Sequence, residues 1–288
     1  MSKRLALAAA VVLLAGCMTL DSYMFAPTRV ESYLNPADMD SAWEVRFIIP
    51  DSLYQPVELT SSGGNRIYGY LVQPDGLHPF ENTITVLYCH GNSDNINRFW
   101  GRVERLWEAG FRVFIFDYQG YGRSEGTPSG DAFFADGRAA LAYVRSLPGV
   151  DTTRIVYYGY SVGSFVATYL AADSIAPAAL MLEAPPASVT ALVREGTVLE
   201  VPGSFVADMD FDNERRIPLV GAPVLLLQGL ADTYLLPERH ARRIINAARG
   251  FTELDTIWVP GAEHHNLPET MGAAYQQVLS EFVEHRVP

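Results

Sequence analysis

From Ile84 to the C-terminus, short β-rich runs alternate with longer stretches of helical periodicity, and this alternation restricts the fold more than any other feature of the chain. The runs Ile84–Cys89, Val113–Asp117, Ile155–Tyr158, Ala179–Leu182, Val224–Leu227 and Asp255–Val259 have strand length and strand composition. Between them, Asn95–Ala109 sets Ile96, Phe99, Val103, Leu106 and Trp107 on one helical face. Helices are likewise predicted at Asp131–Leu147, from Ser161 onward, at Pro237–Ala248 and at Pro268–His285. Parallel neighbours need a crossover, usually a helix, so strand–helix alternation with apolar strands implies a mostly parallel central sheet with helices on both faces, an α/β fold. Upstream, Val57–Thr60 and Ile67–Val72 flank Ser61-Ser62-Gly63-Gly64-Asn65, a hairpin signal. At 288 residues the chain is long enough for one large domain of this kind.

Two stretches depart from the alternation. Residues 185–222 lie between two strands and are too short for a domain. They are expected to form a short cap segment over the carboxyl ends of the strands, where open α/β sheets bind ligands. The N-terminus begins with Lys3 and Arg4, then an apolar run Leu5–Leu14, then Leu14-Ala15-Gly16-Cys17. The run is too short to span a bilayer as a stable helix and reads as a secretory signal. The sequence ending at Cys17 resembles the bacterial lipobox, which implies cleavage before Cys17 and acyl chains on it. The alternative is an ordinary signal peptide with an incidental cysteine. Met18, rather than an aspartate, points by the sorting rule of Gram-negative lipoproteins to the periplasmic face of the outer membrane. The chain is thus expected to divide into a signal peptide at 1–16, an anchor and tether at 17–42, the tether packing in part on the domain, and a domain at 43–288. A tether of about 20 residues reaches roughly 65–70 Å when extended, so the domain need not touch the membrane.

Charge and cysteine usage exclude several functions. Loss of Lys3 and Arg4 takes the formal charge from −12 to −14. Such a surface argues against nucleic acid as a partner and against electrostatic docking on anionic lipid. With Cys17 acylated, Cys89 is left without a partner, and its apolar strand makes it a buried inert thiol. The histidines show no close pairing with acidic ligands on a helix face, so no metal is expected.

Gly159-Tyr160-Ser161-Val162-Gly163 follows a β-rich run and opens a helix. A Gly-x-Ser-x-Gly turn in that position presents its serine at a helix N-terminus, where backbone amides face a developing anion. The turn is tight enough that side chains at Gly159 and Gly163 would collide with backbone. A serine hydroxyl needs a base to take its proton, and the base needs an orienting acid. In chain order the acid and then the base follow a serine of this kind. Asp232 lies just past Val224–Leu227, and His264 lies in Gly261-Ala262-Glu263-His264 just past Val259. Both therefore sit on loops at the carboxyl edge of the sheet, with Ser161. Glu183 is the second candidate for the acid. His90-Gly91-Asn92 ends the strand Ile84–Cys89; the loop there is expected to give one oxyanion amide, from Asn92 or alternatively Ser93, and Val162 the other. His90 is read as structural. Of the adjacent histidines, His264 is read as the base and His265 as a neighbour that packs, caps the last helix or faces the substrate.

Cys89-His90-Gly91-Asn92, the segment Asp117–Gly126, Gly159–Gly163 and Gly261–His264 together resemble the Bem46-like branch of the α/β-hydrolases, which includes relatives of the mammalian α/β-hydrolase-domain proteins 13 and 17. The resemblance runs from about Val57 to Phe282. It implies the α/β-hydrolase fold, a serine hydrolase without cofactor and a short cap, with Asp117–Gly126 as a structural loop. Glu263 and His265 depart from the pattern, where relatives often carry glycine before the histidine and aspartate after His-Asn. The expected activity is cleavage of a small acyl-ester, thioester or lipid-like substrate through an acyl-enzyme. A serine peptidase and a non-catalytic envelope binding module are the alternatives.

Overall fold

The computed structural model describes residues 24–34, 36, 48–76, 84–196 and 210–287. The expected signal peptide at 1–16, Cys17 and residues 197–209 of the expected cap lie outside them.

Eight strands form one sheet: β1 Tyr54–Thr60, β2 Arg66–Val72, β3 Thr85–Cys89, β4 Arg112–Phe116, β5 Ile155–Tyr160, β6 Ala179–Glu183, β7 Val224–Gly229 and β8 Leu254–Val259. Their spatial order is β1-β2-β4-β3-β5-β6-β7-β8. Two neighbouring pairs are antiparallel, β1 with β2 in the hairpin and β2 with β4, and the other pairs of this sheet are parallel. The five strands β3 to β7 are buried at every residue, as the apolar runs require. The edge strand β1 alternates exposed and half-buried positions and carries Pro56, which an edge tolerates.

Strand pleating sorts the core into two layers. Leu87, Phe114, Phe116, Tyr157 and Leu226 enter the layer beneath α2 Gly130–Ser146 and α3 Gly163–Asp173. Val86, Ile115, Val156, Tyr158 and Leu225 enter the opposite layer with α1 Trp100–Glu108. Local signals start the helices. Ser129 Oγ accepts the Ala132 amide at the head of α2, and Asn95 Oδ1 accepts the Asn97 amide at the 3-10 turn Ile96–Phe99 that leads into α1. On the β6-to-β7 crossover come α4 Val189–Gly196 and α5 Asn213–Arg216, followed by α6 Ala241–Ala248, α7 Leu267–Met271 and α8 Ala273–Arg286. Among the described residues no helix is long and apolar enough to cross a membrane.

Three expectations are corrected. The single helix expected over Pro268–His285 is two, because Gly272 sits at φ 57° and ψ −134° and breaks the hydrogen-bond ladder. The helix expected from Pro237 starts at Ala241, since the backbone of His240 leaves the helical region and its Nδ1 accepts the Ala187 amide at 3.2 Å. The segment 185–222 is not all cap. Ser188 and Asp212 form an antiparallel bridge that pinches its base. On either side of Asp212, Phe211 stacks on Phe165 at 4.9 Å, Asn213 Nδ2 donates to Ser164 Oγ at 2.8 Å and Arg216 Nε to Asp173 Oδ2 at 2.7 Å. Residues 211–219 thus belong to the helical layer that carries the chain from β6 back to β7 rather than to a cap.

The tether packs closely as well. Met24 and Phe25 are buried, and Phe25 lies 4.5 Å from Phe133 and 6.1 Å from Phe211, centroid to centroid. Ala26–Pro27 pairs in parallel with Ser93–Asp94. Tyr33 Oη donates to Asp117 Oδ2 at 2.5 Å. Residues 24–34 form a strap across the domain, so the part of the expected tether between Cys17 and Met24 can reach at most about 25 Å, less than the length expected from the whole tether.

Candidate active site

At the end of β5 the chain turns from strand into α3 within two residues. Ser161 holds φ at 51°, the left-handed region that a side chain adopts only when its surroundings enforce it. The enforcement is visible. The Ser161 amide donates to Glu183 O on β6 at 2.9 Å, and Ser161 O accepts the Ser164 amide at 3.0 Å. A Cβ at Gly159 would lie 2.5 Å from Ser164 Cα, and one at Gly163 2.1 Å from Cys89 O. Both glycines of the motif are therefore required by backbone contact, as expected from sequence.

Asp232 and His264 arrive from the next two strands. Past β7, Asp232 Oδ1 accepts the amides of Tyr234 at 2.9 Å and Leu235 at 2.7 Å, and Oδ2 accepts Gln228 Nε2 at 3.1 Å. Past β8, Gly261 at φ 75° makes the turn, and Asn266 Oδ1 accepts the Glu263 amide at 2.7 Å. The two loops are pressed together: the Ala231 amide donates to Ala262 O at 2.9 Å, and a Cβ at Gly229 would lie 2.3 Å from that oxygen. The result is a continuous hydrogen-bonded row. His264 Nδ1 lies 2.8 Å from Asp232 Oδ2, and His264 Nε2 lies 3.0 Å from Ser161 Oγ. All three side chains are buried. Burial alone would raise the Asp232 carboxyl. The hydrogen bond and charge of His264, with the Leu235 amide and Gln228, outweigh it and hold the group below the usual aspartate value.

His265 turns away from this row. Its Nδ1 lies 2.8 Å from Tyr160 Oη. Partial burial and the nearby charges of His264, Arg102 and Arg98 push its imidazole down to about 4. Exposed Tyr234 sets its ring 5.0 Å from that of His264.

Glu183, the second candidate for the acid, is fully occupied elsewhere. Arg102 Nε and Nη2 donate to Oε1 at 3.1 and 2.7 Å, and Tyr275 Oη donates to Oε2 at 2.6 Å, joined there by the Tyr158 hydroxyl. Burial and the charge of Glu183 hold both tyrosines well above their usual value, hence protonated. Arg102 also donates to His265 O at 3.0 Å and stacks 3.8 Å above the Tyr160 ring. This buried group bridges the serine turn and the histidine loop. Sequence reasoning assigned no role to Arg102, Tyr158 or Tyr275; the one signal was a glutamate ending an apolar strand.

His90 is sealed in the core, stacked on Phe99 at 4.7 Å, with Nδ1 2.8 Å from Gly91 O. Its Nε2 lies 3.1 Å from Asp117 Oδ1, off the line of a good hydrogen bond. This is the structural role expected of it. Asp117–Gly126 is likewise a structural loop: Asp117 Oδ1 accepts the Ile96 amide, Ser124 Oγ donates to Asp117 O, and Asp136 accepts the Gln119 amide. Cys89 is a buried free thiol, pushed well up by burial. A Cβ at Gly91 would lie 3.6 Å from Ser161 Cβ, so the His90–Asn92 turn borders the serine. Among the described residues, neither the Asn92 nor the Val162 amide is taken by a backbone carbonyl outside the regular elements. Ser93, the alternative to Asn92, pairs with Ala26. No three His, Cys, Asp or Glu side chains are grouped to hold a metal ion among the described residues.

The comparisons with known proteins agree with this architecture. The family described as serine aminopeptidase, S33, matches residues 81–213. The uncharacterised protein YfhR of Escherichia coli K12 is 30% identical over 246 residues, covering 81% of this chain and 84% of that protein. The α/β hydrolase domain-containing protein aho-3 of Caenorhabditis elegans is 31% identical over 213 residues, 72% of this chain and 60% of that protein. Among solved structures, an esterase of Pyrococcus furiosus superposes with a TM-score of 0.70 at 19% identity, covering 92% of this chain and 98% of the esterase. The esterase domain of a Rhodothermus marinus protein superposes at 0.61 and 19% identity, over 82% of this chain and all (100%) of that domain.

Proposed function

The chain belongs to the α/β-hydrolase family, and from that premise we propose that it is a serine hydrolase cleaving acyl esters or thioesters, with Ser161 as nucleophile, His264 as base and Asp232 as the orienting acid. Within the family we place it in the Bem46-like branch on the motifs quoted above. One observation carries the assignment: the unbroken row Asp232–His264–Ser161, with contacts of 2.8 and 3.0 Å, ending on a serine held at φ 51°.

Ionised Asp232 accepts a hydrogen bond from the N–H at His264 Nδ1, which fixes the tautomer and leaves Nε2 as the lone-pair nitrogen. Nε2 takes the Ser161 proton as Oγ attacks the acyl carbon, and the resulting oxyanion is held by the amides of Asn92 and Val162. His264 then protonates the leaving oxygen or sulfur. Water repeats the sequence on the acyl-enzyme and regenerates the serine.

Ser161→Ala should fold normally and lose about 10⁴–10⁶ in turnover. A fluorophosphonate probe should label the wild type at Ser161 and leave the variant unlabelled. Retention of more than a few per cent of the activity, or no labelling of the wild type, would sink the assignment. The matched family carries a peptidase name, so a series of p-nitrophenyl esters set against aminoacyl amides tests the substrate class; preferential amide cleavage would favour a peptidase.

A further inference from the structure

We propose that the strap, residues 24–34, is a working part of the active site: it positions the Asn92 turn that supplies an oxyanion amide. The proposal rests on the serine hydrolase reading.

The Asn92 side chain is fixed from two sides. Its Oδ1 accepts the Ala26 amide of the strap at 3.2 Å and the Tyr121 hydroxyl at 2.9 Å. Two residues on, Asp94 stands at φ 70°, a left-handed conformation that is strained for a non-glycine residue. The strap holds it there. The Thr28 amide donates to Asp94 O at 3.2 Å, and Asn95 Nδ2 donates to Thr28 O at 3.1 Å. The same Asn95 caps the turn leading to α1. The strained segment from Asn92 to Asn95 is therefore clamped by strap backbone along its whole length.

A second line of contacts fixes the strap itself. The Val30 amide donates to Gly122 O and the Gly122 amide to Thr28 O, both at 3.0 Å. A Cβ at Gly122 would collide with Asp117 Oδ2 and with Tyr33 Oη, so glycine at this position is what lets the strap lie down. Phe25 anchors the other end between Phe133 and Phe211. An amide that must meet an oxyanion within a few tenths of an ångström depends on such a clamp, because donors of this kind stabilise the transition state through prior placement.

Thr28→Pro is the sharpest test. It removes one amide donor, leaves an exposed position exposed, and follows Pro27 in a segment already extended. Asn92→Ala removes the clamped side chain and keeps the amide. With p-nitrophenyl acetate, each should lower kcat about tenfold or more while KM stays within about twofold, the pattern of a loss confined to the transition state. Thermal melting gauges the fold, and hydrogen exchange of the 92–97 amides reads the clamp directly, with faster exchange expected in Thr28→Pro. Unchanged kcat in both variants, or lowered kcat without faster exchange in Thr28→Pro, overturns the proposal. A wild type with neither esterase activity nor fluorophosphonate labelling refutes the serine hydrolase reading instead. The exchange measurement then still decides whether the strap clamps the turn: unchanged protection in Thr28→Pro refutes the clamp.

Discussion

The left-handed backbone of Ser161 is held by Glu183 O on β6 and the Ser164 amide of α3, and the two adjacent histidines show how finely such a site divides roles. His264 contacts both Ser161 and Asp232, whereas His265 contacts Tyr160. His264→Ala should match Ser161→Ala in lost turnover and lose fluorophosphonate labelling, while His265→Ala keeps substantial activity; the reverse pattern would overturn the assignment. His265 also carries a pH signature. Its imidazole is held at about 4 in the folded protein against an ordinary 6.5. Between these values the unfolded chain binds more protons, so this contribution to stability is present above about pH 6.5 and is lost as pH falls toward 4. Buried Glu104, raised to about 7, acts in the opposite sense over the same range. The measurement is therefore a difference: urea midpoints of wild type minus His265→Gln should decline from pH 6.5 to 4, and a flat difference would contradict the depressed imidazole. Ser161, Asp232 and His264 were legible in the sequence because chain order and strand ends place them on one edge. Arg102 and Glu183 were not legible as a pair, since 81 residues separate them and neither lies in a motif.

Among the elements, the central strands were read to within a residue or two because their burial on both faces leaves no polar interruption. What the pattern did not disclose was conformation at single positions and the packing of short helices. Gly272 sits in a helical pattern of side chains, yet its φ of 57° splits α7 from α8. Likewise α5 has four residues, too few to show periodicity, and tertiary contacts with Ser164 and Asp173 place it in the helical layer. Two glycine substitutions separate backbone conformation from steric closeness. Nothing lies within 4 Å of a Cβ at Gly272, so only its dihedral angles oppose a side chain. Gly272→Ala should lower unfolding free energy by about 1–3 kcal/mol and leave kcat unchanged. A Cβ at Gly163 would press on Cys89 O and on His90 O at 2.1 and 2.4 Å, at the root of the Asn92 turn. Gly163→Ala should therefore lower both denaturant stability and kcat. Full activity in that variant would mean that the turn is not braced against α3.

At the scale of the whole molecule, two properties bear on where the protein works: its charge and the way its N-terminus is held. The strap was legible only as a tether that packs in part, because residues 24–34 lack periodicity and their order comes from pairing with Ser93–Asp94 and from one buried phenylalanine. With that segment docked, six residues, Met18 to Tyr23, remain between the proposed lipid at Cys17 and the domain. An anchor there would hold the body within about 25 Å of the bilayer, close enough for acyl groups at the lipid surface to be reached. The body itself offers anionic lipid no electrostatic attraction, since its formal charge without the leader is −14. Membrane retention then depends on acyl chains alone, and a multiply acylated cysteine is a stable anchor. The wild type should accordingly stay in the membrane fraction through a high-salt wash and be released by detergent. Cys17→Ser should appear in the soluble fraction or accumulate unprocessed, with its domain still labelled by fluorophosphonate. Release of the wild type by salt, or unchanged membrane association of Cys17→Ser, would refute the anchor while leaving the assignment of Ser161 untouched.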